Sequence, residues 1–340
     1  MTRHTNSLAT TVAREASTSR PTPESVLYIL SPSYSGSTLL TFLLAQHPQI
    51  ATIGELKAAT VGRIPDYRCS CGQLLRECAL WRDVQARMQR RGFELELSDL
   101  GTHISGHGRL FRRLINAGVR PFPWPALSDS AIKLLPRCRR TLAGVLQQNF
   151  RLMETIAEAQ QGRVFLDGSK DPERLRMILR GLSLPVKVVR LLRDGRGVTN
   201  SYMKHYRVGM KVAAKEFLRT SRACDRVMAR IGVADQLTIR YEDLCRKPQQ
   251  TVASVLALAR LAPVAARMRR STGAIHILGN AMRLDSAVEI RLDENWRREL
   301  SSSDLETFSR TVGAYDHRSA APKLEHIVAG DQYGILPAAN

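Results

Sequence analysis

The chain has 340 residues, 44% of them hydrophobic, and its 51 Lys and Arg against 31 Asp and Glu give it a net charge of +20. This composition supports a packed core and excludes a chain that is disordered throughout. No apolar stretch approaches the roughly 18 residues that cross a bilayer, which argues against a membrane-spanning helix. The basic excess makes an anionic partner the first hypothesis, and a coding bias toward Arg, which supplies 42 of the 51 basic residues, is the preferred alternative for the surface charge as a whole.

The N-terminal residues 1–24 are rich in Thr and Ser and lack the apolar run and cleavage site of a secretory signal. We expect them to form a flexible lead-in. Without such a signal, six cysteines favour reduced thiols and a cytoplasmic location. We predict one domain over residues 25–315 and a C-terminal extension over 316–340, and the sequence leaves the oligomeric state open.

A strand, a loop of small residues and a helix are predicted at the start of this domain, over 26–30, 31–38 and 39–46. The same alternation recurs three times. Further apolar strands are predicted near 164–166, 186–192 and 236–240, followed by helices that begin near Pro172, Gly195 and Pro248. Four apolar strands separated by helices predict an α/β fold of three layers, with a parallel sheet flanked by helices on both faces.

Residues 60–161 have a different pattern and predict a helical insertion in the α/β core. Its helices are predicted near 74–91, 108–117 and 136–160, with a proline-rich break at 121–125. The part from 105 to 140 carries eight Lys and Arg and one acid, Asp129. A basic insertion of this kind suits an acidic acceptor or another anionic partner.

The loop between the first strand and helix has the composition of a P-loop-like anion site. Backbone N–H groups at a helix N-terminus favour an anion, Gly36 permits close approach, and Ser35, Ser37 and Thr38 add hydroxyl donors. A nucleoside triphosphatase loop has a first Gly, here replaced by Ser31, and a Lys before the final Ser or Thr, which is missing. Transfer of a terminal phosphate is therefore poorly supported. An ordinary turn capped by serines is the alternative.

Three further segments bring polar residues to the carboxyl edge of the predicted sheet. Arg193 ends one apolar strand and Ser201 lies about two turns into the next helix, so the pair suits a second phosphate. Lys170 ends another strand, and Glu55 returns to the same edge after the first helix. We predict that they surround one cleft. The alternative for Arg193 is a surface ion pair, and for Ser201 it is an ordinary position on the helix surface. The alternative for Glu55 is a capping or ion-paired surface acid, and His47 is its rival as a base.

Four motifs, in this order and spacing, resemble those of sulfotransferases that use 3′-phosphoadenosine-5′-phosphosulfate (PAPS). They are Ser35-Gly36-Ser37-Thr38-Leu39-Leu40, His47-Pro48, Gly54-Glu55, and Arg193-Asp194-x-Arg196 with Ser201. In that family the first loop binds the 5′-phosphosulfate, and the Arg and Ser bind the 3′-phosphate. The resemblance therefore implies a P-loop-like fold and a PAPS site formed by Tyr34, Ser35, Gly36, Ser37, Thr38, Leu39, Arg193 and Ser201.

The layout of the motifs is similar to that of tyrosylprotein sulfotransferases and of bacterial carbohydrate and small-molecule sulfotransferases. The Gly-Glu context and the Lys before Asp-Pro imply Glu55 as the general base on the acceptor hydroxyl and Lys170 as the residue that stabilises the bridging and sulfuryl oxygens. Family members commonly carry Arg where this chain has Tyr34, whose hydroxyl offers a hydrogen bond but no charge. We expect Lys170, or an arginine elsewhere in the site, to neutralise more of the ligand's negative charge.

Residues 276–283 and 293–296 are similar to the C-terminal segment that closes over the nucleotide in this family. The similarity implies that Asn280, in a tight turn after Gly279, and Arg283 contact the nucleotide, with Arg283 at the 3′-phosphate. Trp296 is expected in the core rather than stacked on the adenine.

Three cysteines, Cys69, Cys71 and Cys78, lie close together within the predicted insertion. Three thiols could bind zinc, but no fourth ligand is evident and the C-x-C spacing is tighter than the usual C-x2-C. A disulfide and free thiols are the alternatives. We assign the group no catalytic role and assign no residue to a metal.

The predicted function is transfer of a sulfuryl group from PAPS to a hydroxyl acceptor, which is a carbohydrate, a small metabolite or a tyrosine. The basic insertion suits an acidic acceptor, whereas a small metabolite requires no such charge. The alternatives are a protein that binds an anionic polymer or nucleic acid, and a degenerate P-loop kinase. The basic residues lack the interleaved aromatics of a single-strand binding surface, so no specific nucleic-acid partner is predicted.

Overall fold

A five-stranded, all-parallel sheet forms the centre of the protein, in the strand order β2-β3-β1-β4-β5. The computed structural model describes residues 23–315 except 59–60, 62–63, 65, 105–106, 265–274 and 285–289. The strands are β1 (Ser25–Leu30), β2 (Ile50–Thr52), β3 (Val164–Lys170), β4 (Val186–Leu192) and β5 (Gln236–Arg240). The predicted α/β fold is confirmed, while the short strand β2 was not predicted.

Helices flank the sheet on both faces. In the described part of the chain the helices are α1 (Ser37–Leu44), α2 (Ala79–Arg90), α3 (Arg109–Ala117), α4 (Trp124–Leu134), α5 (Pro136–Gln160), α6 (Pro172–Gly181), α7 (Gly195–Tyr206), α8 (Met210–Met228), α9 (Tyr241–Arg246), α10 (Pro248–Leu258), α11 (Trp296–Glu299) and α12 (Ser302–Val312). None of these helices is both long and apolar enough to cross a bilayer. The predicted extension over 316–340, and residues 1–22 of the predicted lead-in, lie outside the described residues.

The alternation of side chains along β1 explains why both faces of the sheet are covered. Successive side chains of a strand point to opposite faces. Leu27 and Ile29 pack in one apolar cluster with Leu40 and Leu44 of α1 and with α10, whereas Tyr28 and Leu30 pack in another with α6 and α8. Every residue from 26 to 30 is fully buried. A continuous apolar strand is therefore the sequence that a central parallel strand requires.

The described chain between β2 and β3 is largely helical, but two details of the helices predicted there were wrong. The helix predicted over 74–91 is a 3-10 turn (Leu75–Glu77) followed by α2, because the backbone at Cys78 is extended, with φ −64° and ψ 125°. The proline-rich run does not exclude a helix, since α4 begins at Trp124 with Pro125 in its first turn, where a missing N–H costs no helical hydrogen bond. The insertion packs on the sheet through α2 and α5.

The strand order brings three predicted segments together at one edge. Because all five strands are parallel, their carboxyl ends lie on the same side of the sheet. The neighbours β3, β1 and β4 end at Lys170, Leu30 and Leu192. The segments after them therefore meet where ligands bind in open α/β sheets.

Candidate active site

An open cleft of about 1360 Å³ lies at this carboxyl edge. Eleven of the twelve predicted site residues line it: Tyr34, Gly36, Ser37, Thr38, Leu39, Glu55, Lys170, Arg193, Ser201, Asn280 and Arg283. The twelfth, Ser35, is fully buried. The rival base His47 is also buried, where its ring is hydrogen bonded to the backbone of Gln49 and Ala262. The structure thus brings the predicted residues to one place, while their roles stay predictions.

The loop before α1 has the geometry of an anion-binding loop. Gly36 has a left-handed backbone, φ 88°, and a Cβ there would lie 2.4 Å from the ring of Tyr241. Only glycine fits this position, because both the conformation and the space exclude a side chain. The N-cap residue of α1, Gly36, has no side chain to cap the helix, and the first turn of the helix carries no acid. Its free N–H groups therefore favour an anion in the cleft.

Two buried hydroxyls lie in the same loop. Ser31 and Ser35 are at most 1% exposed, and within the described residues neither Oγ atom has a hydrogen-bond partner. A buried hydroxyl without a partner costs roughly 1–3 kcal/mol. Ser31 lines the cleft directly. Ser31 therefore offers the cleft a hydroxyl donor that has no partner among the described residues.

An acid and a lysine are in direct contact in the cleft. The Nζ atom of Lys170 lies 2.5 Å from Oε1 of Glu55, and both side chains are only partly exposed. Lys170 ends β3 with a positive φ of 67°, which is uncommon for a residue with a side chain. Gly279 packs directly against Glu55, since a Cβ at this glycine would lie 2.5 Å from Oε1. The segment around residue 279 therefore holds one side of the Glu55 carboxylate.

A second ion pair in the cleft was not predicted. The Nζ atom of Lys57 contacts Oδ2 of Asp171, the N-cap residue of α6. Burial raises the pKa of Asp171, but the charge of Lys57 and hydrogen bonds to the carboxylate outweigh it and hold that pKa at about 2. Burial, and then the charge of Asp171, raise the pKa of the neighbouring Glu173 to about 8. The motif Lys170-Asp171-Pro172 marked this edge, but nothing in the sequence links it to Lys57.

Arg193 is held in place by the protein. Its Nη1 atom donates to the carbonyl oxygen of Tyr34 at 2.8 Å, and Nη2 donates to the Asp293 carboxylate at 2.9 Å. Its guanidinium also lies 4.5 Å from the ring centroid of Tyr241. Ser201 lines the same cleft and donates to the carbonyl oxygen of Gly197. Arg193 therefore joins the anion loop to the segment around Asp293, a contact that the sequence did not predict.

Tyr34 packs against one face of α7. Its ring lies 5.6–6.5 Å from the rings of Tyr202, His205 and Tyr206, measured between centroids. Residues three and four apart share a face of a helix, so this pattern was visible in the sequence although its partner was not. Burial, followed by the neighbouring tyrosines, raises the pKa of Tyr34 well above its usual value. The tyrosine is therefore a neutral wall residue.

Arg283 and Trp296 were predicted near the nucleotide and in the core, respectively. The buried Arg283 donates to the carbonyl oxygens of Gly279 and Arg68, and its guanidinium lies 4.3 Å from the ring centroid of Tyr67. These contacts fold the segment around Asn280 onto the insertion, and a role at the 3′-phosphate stays a prediction. Trp296 is 6% exposed and belongs to an apolar cluster, as expected for a core residue.

Comparison with known proteins gives a family and several distant structural resemblances. The model described as "Sulfotransferase family" matches residues 27–263. No curated protein matches the chain. Among solved structures, the sulfotransferase domain from the curacin biosynthetic pathway is 20% identical, with 85% of this chain and 97% of that one covered and a TM-score of 0.46.

Two further solved structures are similar at the same low level. The sulfotransferase domain from the Synechococcus PCC 7002 olefin synthase is 20% identical, with 90% and 91% of the two chains covered and a TM-score of 0.42. Retinol dehydratase, in complex with androsterone and the inactive cofactor PAP, is 14% identical, with 89% and 83% covered and a TM-score of 0.38.

Proposed function

Because the chain belongs to the sulfotransferase family, we propose that it transfers a sulfuryl group from PAPS to a hydroxyl group of an acceptor in the cleft. The observation that carries this proposal is the contact of 2.5 Å between Lys170 and Glu55, in a cleft that also holds the uncapped N-terminus of α1. A base, a cation and an anion site are the groups that transfer of an anionic group to a hydroxyl requires.

The residues of the anion loop fit a phosphosulfate group. The free N–H groups of α1 and the unpartnered hydroxyls of Ser31 and Ser35 offer donors, and Gly36 leaves room for close approach. We assign residues 34–39 to the 5′-phosphosulfate, and Arg193 with Ser201 to the 3′-phosphate. Arg193 would then share its guanidinium between Asp293 and the ligand. PAPS, when bound, supplies the sulfuryl group and a phosphate leaving group.

In the proposed reaction Glu55 accepts the proton of the acceptor hydroxyl. The acceptor oxygen forms a bond to sulfur while the bond from sulfur to the 5′-phosphate oxygen breaks, and the phosphate keeps the electron pair. Lys170 orients Glu55 in the free protein and, in the transition state, donates to the oxygen that leaves. Positioning and charge stabilisation of this kind supply most of the rate in such transfers.

The proposal specifies the acceptor only as a molecule that carries a hydroxyl group. The basic stretch over 105–140 was expected to meet an acidic acceptor, yet none of its described residues lines the cleft. The wall is instead lined by aromatic and charged side chains from α7 and α8, namely Tyr206, Lys204, His205, Glu216 and Arg219. A carbohydrate, a small metabolite and a tyrosine all carry the required hydroxyl.

Ligand binding and turnover test this function together. The product that PAPS leaves after transfer is 3′-phosphoadenosine 5′-phosphate (PAP). Isothermal titration with PAP, ATP and a generic oligonucleotide should give tight binding to PAP alone. Preference for ATP would favour the kinase, and preference for the oligonucleotide would favour the nucleic-acid-binding protein. Turnover of PAPS against a mixed set of hydroxyl acceptors should fall by about 100-fold or more in Glu55→Gln and Lys170→Ala.

Matched controls separate catalysis from general effects of charge. Glu306→Gln and Lys133→Ala change exposed side chains outside the cleft and should leave turnover unchanged. Near-native kcat in either Glu55→Gln or Lys170→Ala would overturn the assignment of that residue.

A further inference from the structure

The three cysteines of the insertion have a fourth partner. Cys69, Cys71 and Cys78 meet the ring of His276, which lies 207 residues after the first of them. One ligand atom from each residue, three Sγ atoms and the imidazole Nδ1, lies within 4.8 Å of the other three. The sequence pattern showed no fourth ligand, because His276 comes from a distant segment.

Three of the six distances within this group are close to the edges of a tetrahedron around one ion. The Sγ atoms of Cys71 and Cys78 are 3.7 Å apart, and Nδ1 of His276 lies 3.2 Å and 3.6 Å from the Sγ atoms of Cys78 and Cys69. A tetrahedral zinc ion, with Zn–S near 2.3 Å and Zn–N near 2.0 Å, implies S–S edges of about 3.8 Å and S–N edges of about 3.5 Å. A disulfide would need about 2.05 Å, and all six cysteines are free.

The backbone holds two of the thiols on a tight hairpin. The N–H of Cys69 donates to the carbonyl oxygen of Gln73, and the N–H of Gly72 donates to the carbonyl oxygen of Cys69. Gly72 has the positive φ, 88°, that this turn requires. Cys78 directly precedes α2, at a helix N-terminus that favours a thiolate.

A serine between the two thiols fixes the segment that carries the histidine. The Oγ atom of Ser70 donates to the carbonyl oxygen of Ile275 and accepts from the N–H of Ile277 at 2.7 Å. The N–H of Ser70 donates in turn to the carbonyl oxygen of Ile277. These bonds grip the residues on both sides of His276. The imidazole is therefore positioned by the fold itself.

We propose that Cys69, Cys71, Cys78 and His276 bind one zinc ion in a structural site. Three thiolates and one imidazole fill all four positions of a tetrahedral ion, which leaves no position for substrate. Binding displaces three thiol protons and leaves the site with one net negative charge. Soft sulfur ligands in a tetrahedral set select zinc over magnesium or calcium.

The ion would stabilise one wall of the cleft. His276 lies three residues before Gly279, the residue that packs against Glu55. The same segment is joined to the end of β2, since the N–H of Leu278 donates to the carbonyl oxygen of Ile53 at 2.7 Å. Zinc therefore ties the insertion to the segment that positions Glu55. The four ligands are positioning residues, and the proposal holds whatever reaction the cleft performs.

Metal analysis of the full chain tests the site directly. Protein purified without chelator should contain one zinc per chain by plasma mass spectrometry, and X-ray absorption should give three sulfur ligands and one nitrogen ligand. Cobalt added to the chelated protein should give the visible bands of a tetrahedral thiolate site. Folded protein without metal, a Cys71–Cys78 disulfide in the purified chain, or iron with inorganic sulfide would each overturn the proposal.

Variants identify the ligands, with cysteines elsewhere as controls. Cys71→Ser and His276→Ala should reduce bound zinc at least tenfold, while Cys245→Ser should retain one ion per chain, because Cys245 lies on α9 outside the group. Retention of zinc in His276→Ala would exclude the fourth ligand. Limited proteolysis of the wild-type chain with and without chelator gives a second readout, since removal of zinc should expose new cleavage sites around 275–284. An unchanged pattern would contradict the positioning role.

Discussion

Replacement of Gly279 by alanine tests whether this residue positions the Glu55 carboxylate. The added Cβ would lie 2.5, 2.6 and 2.7 Å from Oε1, Cδ and Cγ of Glu55, distances at which one group must move. The Glu55 side chain is the movable partner, so we expect it to leave Lys170, which it contacts at 2.5 Å. The alanine must also adopt a φ of 112°, at a cost of about 1–3 kcal/mol.

The expected result is a loss of turnover that exceeds the loss of stability. If Glu55 is the general base, its displacement should lower kcat on the order of 100-fold or more, while PAP affinity stays within a few fold. The assay combines steady-state kinetics with PAPS, titration with PAP, and urea unfolding of the same preparation.

Gly92 provides the matched control for backbone strain. It has a φ of 78°, and a Cβ there would meet nothing within 4 Å. Gly92→Ala should therefore destabilise the protein by about 1–2 kcal/mol and leave kcat unchanged. Native kcat in Gly279→Ala, or an equal loss of kcat in both variants, would refute the reasoning.

Three other expectations follow from buried polar groups. Arg174→Met should lower the free energy of unfolding by about 3–5 kcal/mol, because it leaves the fully buried Asp167 without its ion-pair partner at 3.0 Å. Urea unfolding measures this loss, and a change below about 1 kcal/mol would contradict the prediction. The pKa of Glu173 is raised to about 8, above the pKa of a glutamate in the unfolded chain. The protonated carboxyl therefore contributes fully to the free energy of unfolding below about pH 4.5, and this contribution is lost as pH rises through 8. Glu173→Gln should flatten this fall in unfolding free energy, and an unchanged slope between pH 5 and 8 would exclude the cause given. Ser35→Ala should stabilise the unliganded protein by up to about 1 kcal/mol, since it removes a buried hydroxyl without a described partner. The same variant should weaken PAP binding in a titration. Unchanged PAP affinity would show that this hydroxyl does not contact the ligand.

The sequence predicts the parts of the fold and site that depend on local pattern. The apolar run of β1 and the small residues around Gly36 carry their own signals, as do the strand ends at Lys170 and Arg193. Parallel strands bring such ends to one edge, so the meeting of the small-residue loop, Lys170 and Arg193 in one cleft followed from chain order and strand type.

The missed features depend on contacts between distant segments. Strand β2 has only three residues, too few for a pattern. The pairing of Arg193 with Asp293 and of Lys57 with Asp171 spans 100 and 114 residues, and the approach of His276 to Cys69 spans 207. The type of a side chain does not show which of the many charged residues elsewhere in the sequence it will contact. These contacts are set by how loops close over the sheet.

The position of β1 in the sheet also has a consequence for how the chain folds. β1 is the most N-terminal strand of the described residues, yet its neighbours β3 and β4 begin to pair with it only at Val164 and Val186. Its backbone therefore has no strand partner until β3 is synthesised and only one until β4 is, and closing so long a loop makes assembly of the sheet slow. Pulse-labelled hydrogen exchange should show β1 amides protected together with those of β4 and after those of the α5 helix; earlier protection of β1 would contradict this order. Strand β1, at the centre of the sheet, is thus the strand whose pairing partners are synthesised latest after it.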